Sequence, residues 1–130
     1  MVQEMGSIIE YHRFFKSHAS TLGHYFRFVY NIVHYIDQAS ISHSKRNLLI
    51  NLIQAQMSND ELALLLLNGL GKYGKDKFYP LLEQYEFLSN IGSSSLPNLR
   101  YIVLLYPNTK FKNIEDKITA EEMQNLVNLQ

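Results

Sequence analysis

Residues 58–70, which read SNDELALLLLNGL, decide the fold predicted for this chain of 130 residues. Ser58 and Glu61 have the spacing of a capping box, in which each side chain binds the other's backbone amide, so a helix is predicted to begin at Ser58. Residues 62–67 are apolar without interruption, so we place this helix at the centre of a bundle. Asn68-Gly69 predicts a left-handed stop at its end.

Three further helices are predicted before this central segment, and the first is short or kinked, with Ile8, Ile9, His12 and Phe15 at helical spacing. A soft break at residues 20–23 precedes a helix that runs to about Asp37, and its buried stripe recurs every three or four positions as Leu22, Phe26, Val29, Val33 and Ile36. Residues 38–44 form a predicted loop whose Ser side chains can cap the next helix. The buried face of that helix is expected to consist of Leu48, Leu49, Leu52, Ile53 and Gln56.

The remainder of the chain also favours helices. Helical spacing resumes over residues 78–88, and a second capping box predicts a terminal helix at residues 119–129. A glycine and serine run at residues 92–98 predicts a flexible connection, and residues 100–106 suit either one short strand or a short helix. The prediction is therefore an all-α protein, a single compact multi-helix bundle over residues 1–130.

Composition excludes several classes of protein. Twelve Lys and Arg balance twelve Asp and Glu, so the chain lacks the global basic field that drives sequence-independent nucleic-acid binding. The absence of Cys excludes disulfides and thiolate metal sites. The longest apolar run, residues 62–67, is far shorter than the roughly 18 residues typical of a membrane span. We therefore expect a cytoplasmic protein without a membrane span in this chain.

Three short segments carry a resemblance to a known family: His24-Tyr25-Phe26-Arg27, Ala55-Gln56-Met57-Ser58 and Asn68-Gly69-Leu70. In order and spacing, residues 15–88 resemble the AbiC-like phage abortive infection family. The resemblance implies bacterial defence against phage by arrest of the infected cell, and it implies no agreed catalytic mechanism. Members of this kind often carry extra N-terminal sequence, sometimes with membrane-spanning helices, so membrane association is expected if this chain is part of a longer protein.

Polar side chains set inside apolar helix surfaces form the predicted binding site. Such groups are costly to bury without partners, so we expect them to meet one another or a ligand. We predict that Arg27 and Glu61 form an ion pair and that the amides of Gln56 and Asn68 complete hydrogen bonds. The side chains of His24 and Tyr30 are expected to line the mouth of this polar site. The whole set is His24, Arg27, Tyr30, Gln56, Glu61 and Asn68.

The sequence leaves the catalytic residues open. Arg27 and His34, like Arg13 and His18, fit the loose spacing of helical ribonucleases called HEPN proteins, although Phe28 follows Arg27 where those enzymes usually carry a polar residue. A metal-independent RNase that uses Arg27 and His34 is therefore the alternative to a phage-defence protein that acts through its polar residues by binding or self-association. A structural module whose polar residues only fix helix register is the second alternative.

Partners and cofactors follow from the same residues. The five His residues lack a compact ligand spacing, so no metal and no cofactor is predicted. If the protein acts by binding, the expected partners are a second copy of this chain in a homo-oligomer, a phage protein or a host protein. RNA is expected as a partner only if the protein is an RNase.

Overall fold

The structure is a computed structural model that describes residues 9, 13, 16–72, 74–92, 102–113 and 127–128. Its elements are α1 (Ala19–Gln38), α2 (His43–Ala55), α3 (Asn59–Leu70), α4 (Phe78–Gln84) and a short 3₁₀ helix (Val103–Leu105). The prediction of an all-α fold is confirmed. Most of the predicted first helix, the predicted connection after residue 92 and nearly all of the predicted terminal helix lie outside the described residues.

Helix α1 supplies one wall of the core. Phe26, Val29, Val33 and Ile36 are all buried, so the predicted stripe is confirmed. The predicted break at residues 20–23 is wrong, because α1 begins at Ala19 and continues through these positions without interruption. A single Gly inside a helix lowers its stability but does not end it when the surrounding turns are hydrogen-bonded.

Helix α2 is capped as predicted but faces another way. The Ser42 hydroxyl accepts a hydrogen bond from the Lys45 amide at 3.2 Å, which closes the first turn. The predicted buried face is wrong, since the side chains of Leu48 and Leu52 are 57% and 54% exposed while Ile50 is buried. Five of the six residues from 48 to 53 are apolar, so apolarity surrounds this part of the helix and does not select one face.

Helix α3 is the centre of the core. The Ser58 hydroxyl accepts from the Glu61 amide and the Glu61 carboxylate accepts from the Ser58 amide, each at 3.1 Å, so the predicted capping box is confirmed. Leu65 and Leu66 are fully buried. The predicted left-handed stop at Gly69 is wrong, because the helix continues to Leu70 and none of the glycines in the described residues has a positive φ.

Gly69 instead allows a close crossing over α3. A Cβ atom at this position would lie 2.3 Å from the hydroxyl of Tyr106, far closer than side chains approach. That hydroxyl donates a 2.6 Å hydrogen bond to the Leu66 carbonyl, and Tyr106 is buried. The 3₁₀ helix just before Tyr106 shows that the helical alternative for residues 100–106 holds where the structure describes them, and the strand alternative does not.

The segment after the 3₁₀ helix is fastened to α4 by a buried carboxylate. Helix α4 ends at Gln84, earlier than predicted, and Glu86 beyond it has a φ of 47°. The Glu83 carboxylate accepts from the Asn108 amide at 2.8 Å and from the Thr109 hydroxyl at 2.6 Å. These bonds satisfy a carboxylate that would otherwise be costly to bury.

A helix that spans a membrane must be both long and apolar. Within the ranges that the structure describes, no helix combines the length and the apolar character that a membrane span requires.

Candidate functional site

An open cleft of about 390 Å³ lies beside α1. One wall of the cleft is a single face of α1, because residues three and four apart lie on the same side of a helix. That wall is formed by Gly23, Phe26, Arg27, Tyr30 and Asn31. The cleft therefore adjoins the core at Phe26 and presents charged and amide side chains outward.

The opposite wall comes from the end of α3 and the start of α4. Asn68, Gly74, Lys77 and Phe78 line it. A Cβ atom on Gly74 would lie 2.3 Å from the backbone oxygen of Asn68 and 2.6 Å from its side-chain oxygen, so this approach requires glycine. The close contact holds the loop that carries Lys77 against the buried Asn68.

Arg27 lies back along α1 over Gly23. One of its guanidinium nitrogens would be 3.2 Å from a Cβ atom at Gly23, so the absence of a side chain there gives the guanidinium its place. Another guanidinium nitrogen is 3.4 Å from Nδ1 of His24, and a guanidinium can only donate, so Nδ1 must be the acceptor. Arg27 itself is exposed, and its charge faces the cleft.

Aromatic rings join the two walls. Tyr30 and Phe78 meet edge to face, with ring centroids 5.7 Å apart and an interplanar angle of 72°. His34 stacks on Tyr30 at 5.4 Å and 13°. The exposed imidazole of His34 therefore lies next to the cleft and contacts one of the side chains that line it, Tyr30.

The predicted ion pair between Arg27 and Glu61 is wrong. The Glu61 carboxylate accepts a 2.7 Å hydrogen bond from the hydroxyl of Tyr25, in addition to its capping bond. The Tyr25 bond lowers the pKa of Glu61, and burial raises the pKa of Tyr25. Successive helical residues are rotated by about 100°, so Tyr25 and Arg27 project to nearly opposite sides of α1 and Glu61 meets only the first.

The predicted role of Gln56 is also wrong. Its side chain is exposed at the C-terminal cap of α2. The buried amide lies two residues earlier, where Gln54 donates to the Ser89 hydroxyl at 2.9 Å. The structure thus divides the predicted polar set into separate groups. Arg27, Tyr30 and Asn68 share the cleft, and His24 contacts Arg27.

Sequence reasoning missed two groups of residues. Lys77 belongs to a charged turn, a pattern typical of solvated surface, and nothing in its spacing connects it with α1.

Asp37 accepts hydrogen bonds from Tyr85 and from Gln84, the latter at 3.2 Å, and thereby ties α1 to the end of α4. The Tyr85 bond lowers the pKa of Asp37, and burial, with this bond, raises the pKa of Tyr85 to about 12.

The two pairs predicted for the RNase alternative are placed as follows. Arg27 and His34 are both exposed on the same side of α1, and Tyr30 lies between them. Arg13 and His18 are exposed as well and do not line the cleft. Across the described ranges, no three His, Asp or Glu side chains are placed to hold a metal ion.

Comparison with known proteins gives the family. The profile of the family described as "Putative phage abortive infection protein" matches residues 17–96, well over half of the chain. No curated protein and no solved structure matches the chain. The matched residues include all of α1 to α4 and every side chain that lines the cleft. The chain therefore belongs to the family of phage abortive infection proteins to which that profile gives its name.

Proposed function

We propose that this chain acts in phage abortive infection as a binding protein whose ligand occupies the cleft beside α1. Membership of the family supports the defence role. The observation that carries the binding mode is the convergence of Arg27, Tyr30 and Asn68 from two helices on one open cleft. Concave sites with a few convergent polar groups are where proteins usually hold ligands.

The chemistry of the cleft favours binding over catalysis. No described side chain that lines it is a carboxylate, a His or a Ser, which are the usual proton acceptors and nucleophiles. Arg27 and Lys77 supply positive charge, and the exposed amide of Asn31 supplies a donor and an acceptor. Such a set is suited to recognising a ligand.

A metal-independent RNase is the second candidate, and one observation favours it. Arg27 and His34 are exposed on one side of α1, and the His34 ring stacks on Tyr30. In such an enzyme the imidazole would move a proton while the guanidinium holds a phosphate. The weakness of this candidate is that His34 lies outside the cleft lining.

Phage plating on cells that express variants of the chain tests the proposal. Arg27→Gln and Lys77→Gln each remove a cation from the cleft, and both side chains are exposed, so the fold should persist. We expect both variants to lose protection. Lys45→Gln removes an exposed cation from α2 and should protect as well as the original chain. Full protection by both cleft variants, at equal protein levels, would refute the proposal.

A further inference from the structure

The charges around the cleft are unbalanced although the whole chain is neutral. The formal net charge of the chain is zero, yet the charged residues lining the cleft are Arg27 and Lys77 and no carboxylate joins them. The nearest acidic residue in sequence is Asp76, which is exposed and does not line the cleft. The cleft therefore offers a local positive field to a ligand.

Neither cation is neutralised within the part of the chain that the structure describes. The polar contact of Arg27 is to His24 Nδ1 at 3.4 Å, which leaves most of its five N–H donors for other partners. The side chain of Lys77 is exposed, and no carboxylate is among the residues that line the cleft beside it. Two cations that share a cleft without a carboxylate are suited to an anion that has several oxygens, such as phosphate.

The other walls of the cleft are suited to a heterocyclic base. The half-buried ring of Tyr30 gives the cleft an aromatic surface, backed by the buried Phe78, and aromatic rings stack with any nucleic-acid base. Asn31 places an exposed amide in the same space, and an amide can both donate to and accept from a base edge. The volume, about 390 Å³, lies in the range of small-molecule sites, which begins at roughly 300 Å³, and so suits one nucleotide.

We propose that the cleft binds a mononucleotide, with its phosphates held by Arg27 and Lys77 and its base against Tyr30. This proposal rests on the proposed function and names the class of its ligand. Gly23 has a defined part in it, because a Cβ atom at this position would lie only 3.2 Å from the guanidinium of Arg27.

Calorimetric titration of the purified chain with ATP, GTP, CTP and UTP tests the proposal, with inorganic phosphate as the phosphate-only probe. We expect at least one nucleotide to bind, and to bind more tightly than phosphate. Loss of one charge-assisted hydrogen bond corresponds to about tenfold in affinity or more, so Arg27→Gln and Lys77→Gln should each weaken binding by that factor. Lys45→Gln should bind as the original chain does.

Gly23→Ala gives a second test that does not remove a charge. The new methyl group is tight against the Arg27 guanidinium, which must shift to admit it, while Ala favours the helix, so binding should weaken without loss of thermal stability. Failure of all four nucleotides to bind would overturn the proposal. Binding that survives both charge substitutions, or an RNA oligonucleotide that binds when no nucleotide does, would overturn it equally.

The two proposals fail in different ways. If no nucleotide binds but Arg27→Gln still loses protection against phage, the nucleotide is wrong and the cleft keeps its role with another ligand. If nucleotides bind through Arg27 and Lys77 but both variants still protect, the site is real and the proposed function is wrong.

Discussion

The hydroxyl of Tyr25 lies 2.7 Å from the Glu61 carboxylate and donates a hydrogen bond to it. This bond joins α1 to the start of α3 on the side of α1 that faces away from Arg27. Glu61 thus has two partners, Tyr25 and the Ser58 amide, and neither is a cation. Arg27 is consequently left without that counter-charge, and its own contact is His24 at the cleft.

A double-mutant cycle tests whether Arg27 and Glu61 are independent. Since they share no partner, the losses in free energy of unfolding for Arg27→Gln and Glu61→Gln should add to within about 0.5 kcal/mol. Tyr25→Phe removes the donor of one bond and Glu61→Ala removes its acceptor, so their losses should depart from additivity by more than that amount. Urea denaturation of the single and double variants gives both coupling energies. Strong coupling of Arg27 to Glu61 would contradict the structure.

Gly69 should resist replacement although it lies inside a helix. In an ordinary exposed helix position, Gly→Ala stabilises by about 1 kcal/mol. Gly69→Ala would place a methyl group against the Tyr106 hydroxyl, and overpacking of this kind typically costs about 1–3 kcal/mol. Gly23→Ala is the matched control, because its neighbour is the movable end of Arg27. In urea denaturation, the free energy of unfolding should fall for Gly69→Ala and should not fall for Gly23→Ala. Equal free energies of unfolding for the two variants would contradict the close passage of Tyr106 over Gly69.

Some parts of this fold could be predicted from sequence because they are local. The stripe of α1 depends only on helical period, and the capping box depends on residues three positions apart. The face of α2 and the role of Gly69 could not be predicted in this way. Each depends on a residue distant in sequence, since Tyr106 is what passes over Gly69.

The cleft shows the same limit. Arg27, Tyr30 and Asn68 were identifiable as polar groups on apolar helix surfaces, which is a local property. Their partners could not be predicted in this way. Charge alone pairs Arg27 with Glu61, but the positions of these residues around α1 bring Tyr25 to Glu61 and turn Arg27 away from it. Lys77 reaches the cleft through the contact of Gly74 with Asn68, which no sequence spacing reveals.

Acid should weaken the bond between Tyr85 and Asp37. This bond lowers the pKa of Asp37 below its ordinary value of 3.8, so it stabilises the folded chain above that pH and the benefit is lost as pH falls through the folded value. The deficit in free energy of unfolding caused by Tyr85→Phe should therefore narrow from pH 7 to about pH 2. Tyr35→Phe, at a 76% exposed ring, should show no such change. A deficit that is constant with pH would contradict the assignment.

Glu83 and Glu86 offer a comparison between a buried and a more accessible carboxylate. Both accept a backbone amide from the segment after the 3₁₀ helix, Glu83 from Asn108 and Glu86 from Lys110. Glu83 is only 6% exposed and also binds Thr109, so Glu83→Gln should cost about 1–3 kcal/mol in free energy of unfolding, more than Glu86→Gln. Urea denaturation measures both. A larger loss for Glu86→Gln would show that burial of Glu83 does not fasten the segment.

Phage protection by the His34→Ala variant tests the central claim most directly, because it separates a binding cleft from an RNase. His34 stacks on Tyr30 but does not line the cleft, so the variant should remain folded and should still protect cells, whereas Arg27→Gln should not. In an RNase, loss of the proton-transfer group typically lowers the rate about a hundredfold or more. Complete loss of protection by His34→Ala with unchanged thermal stability would contradict the binding account and favour cleavage of RNA.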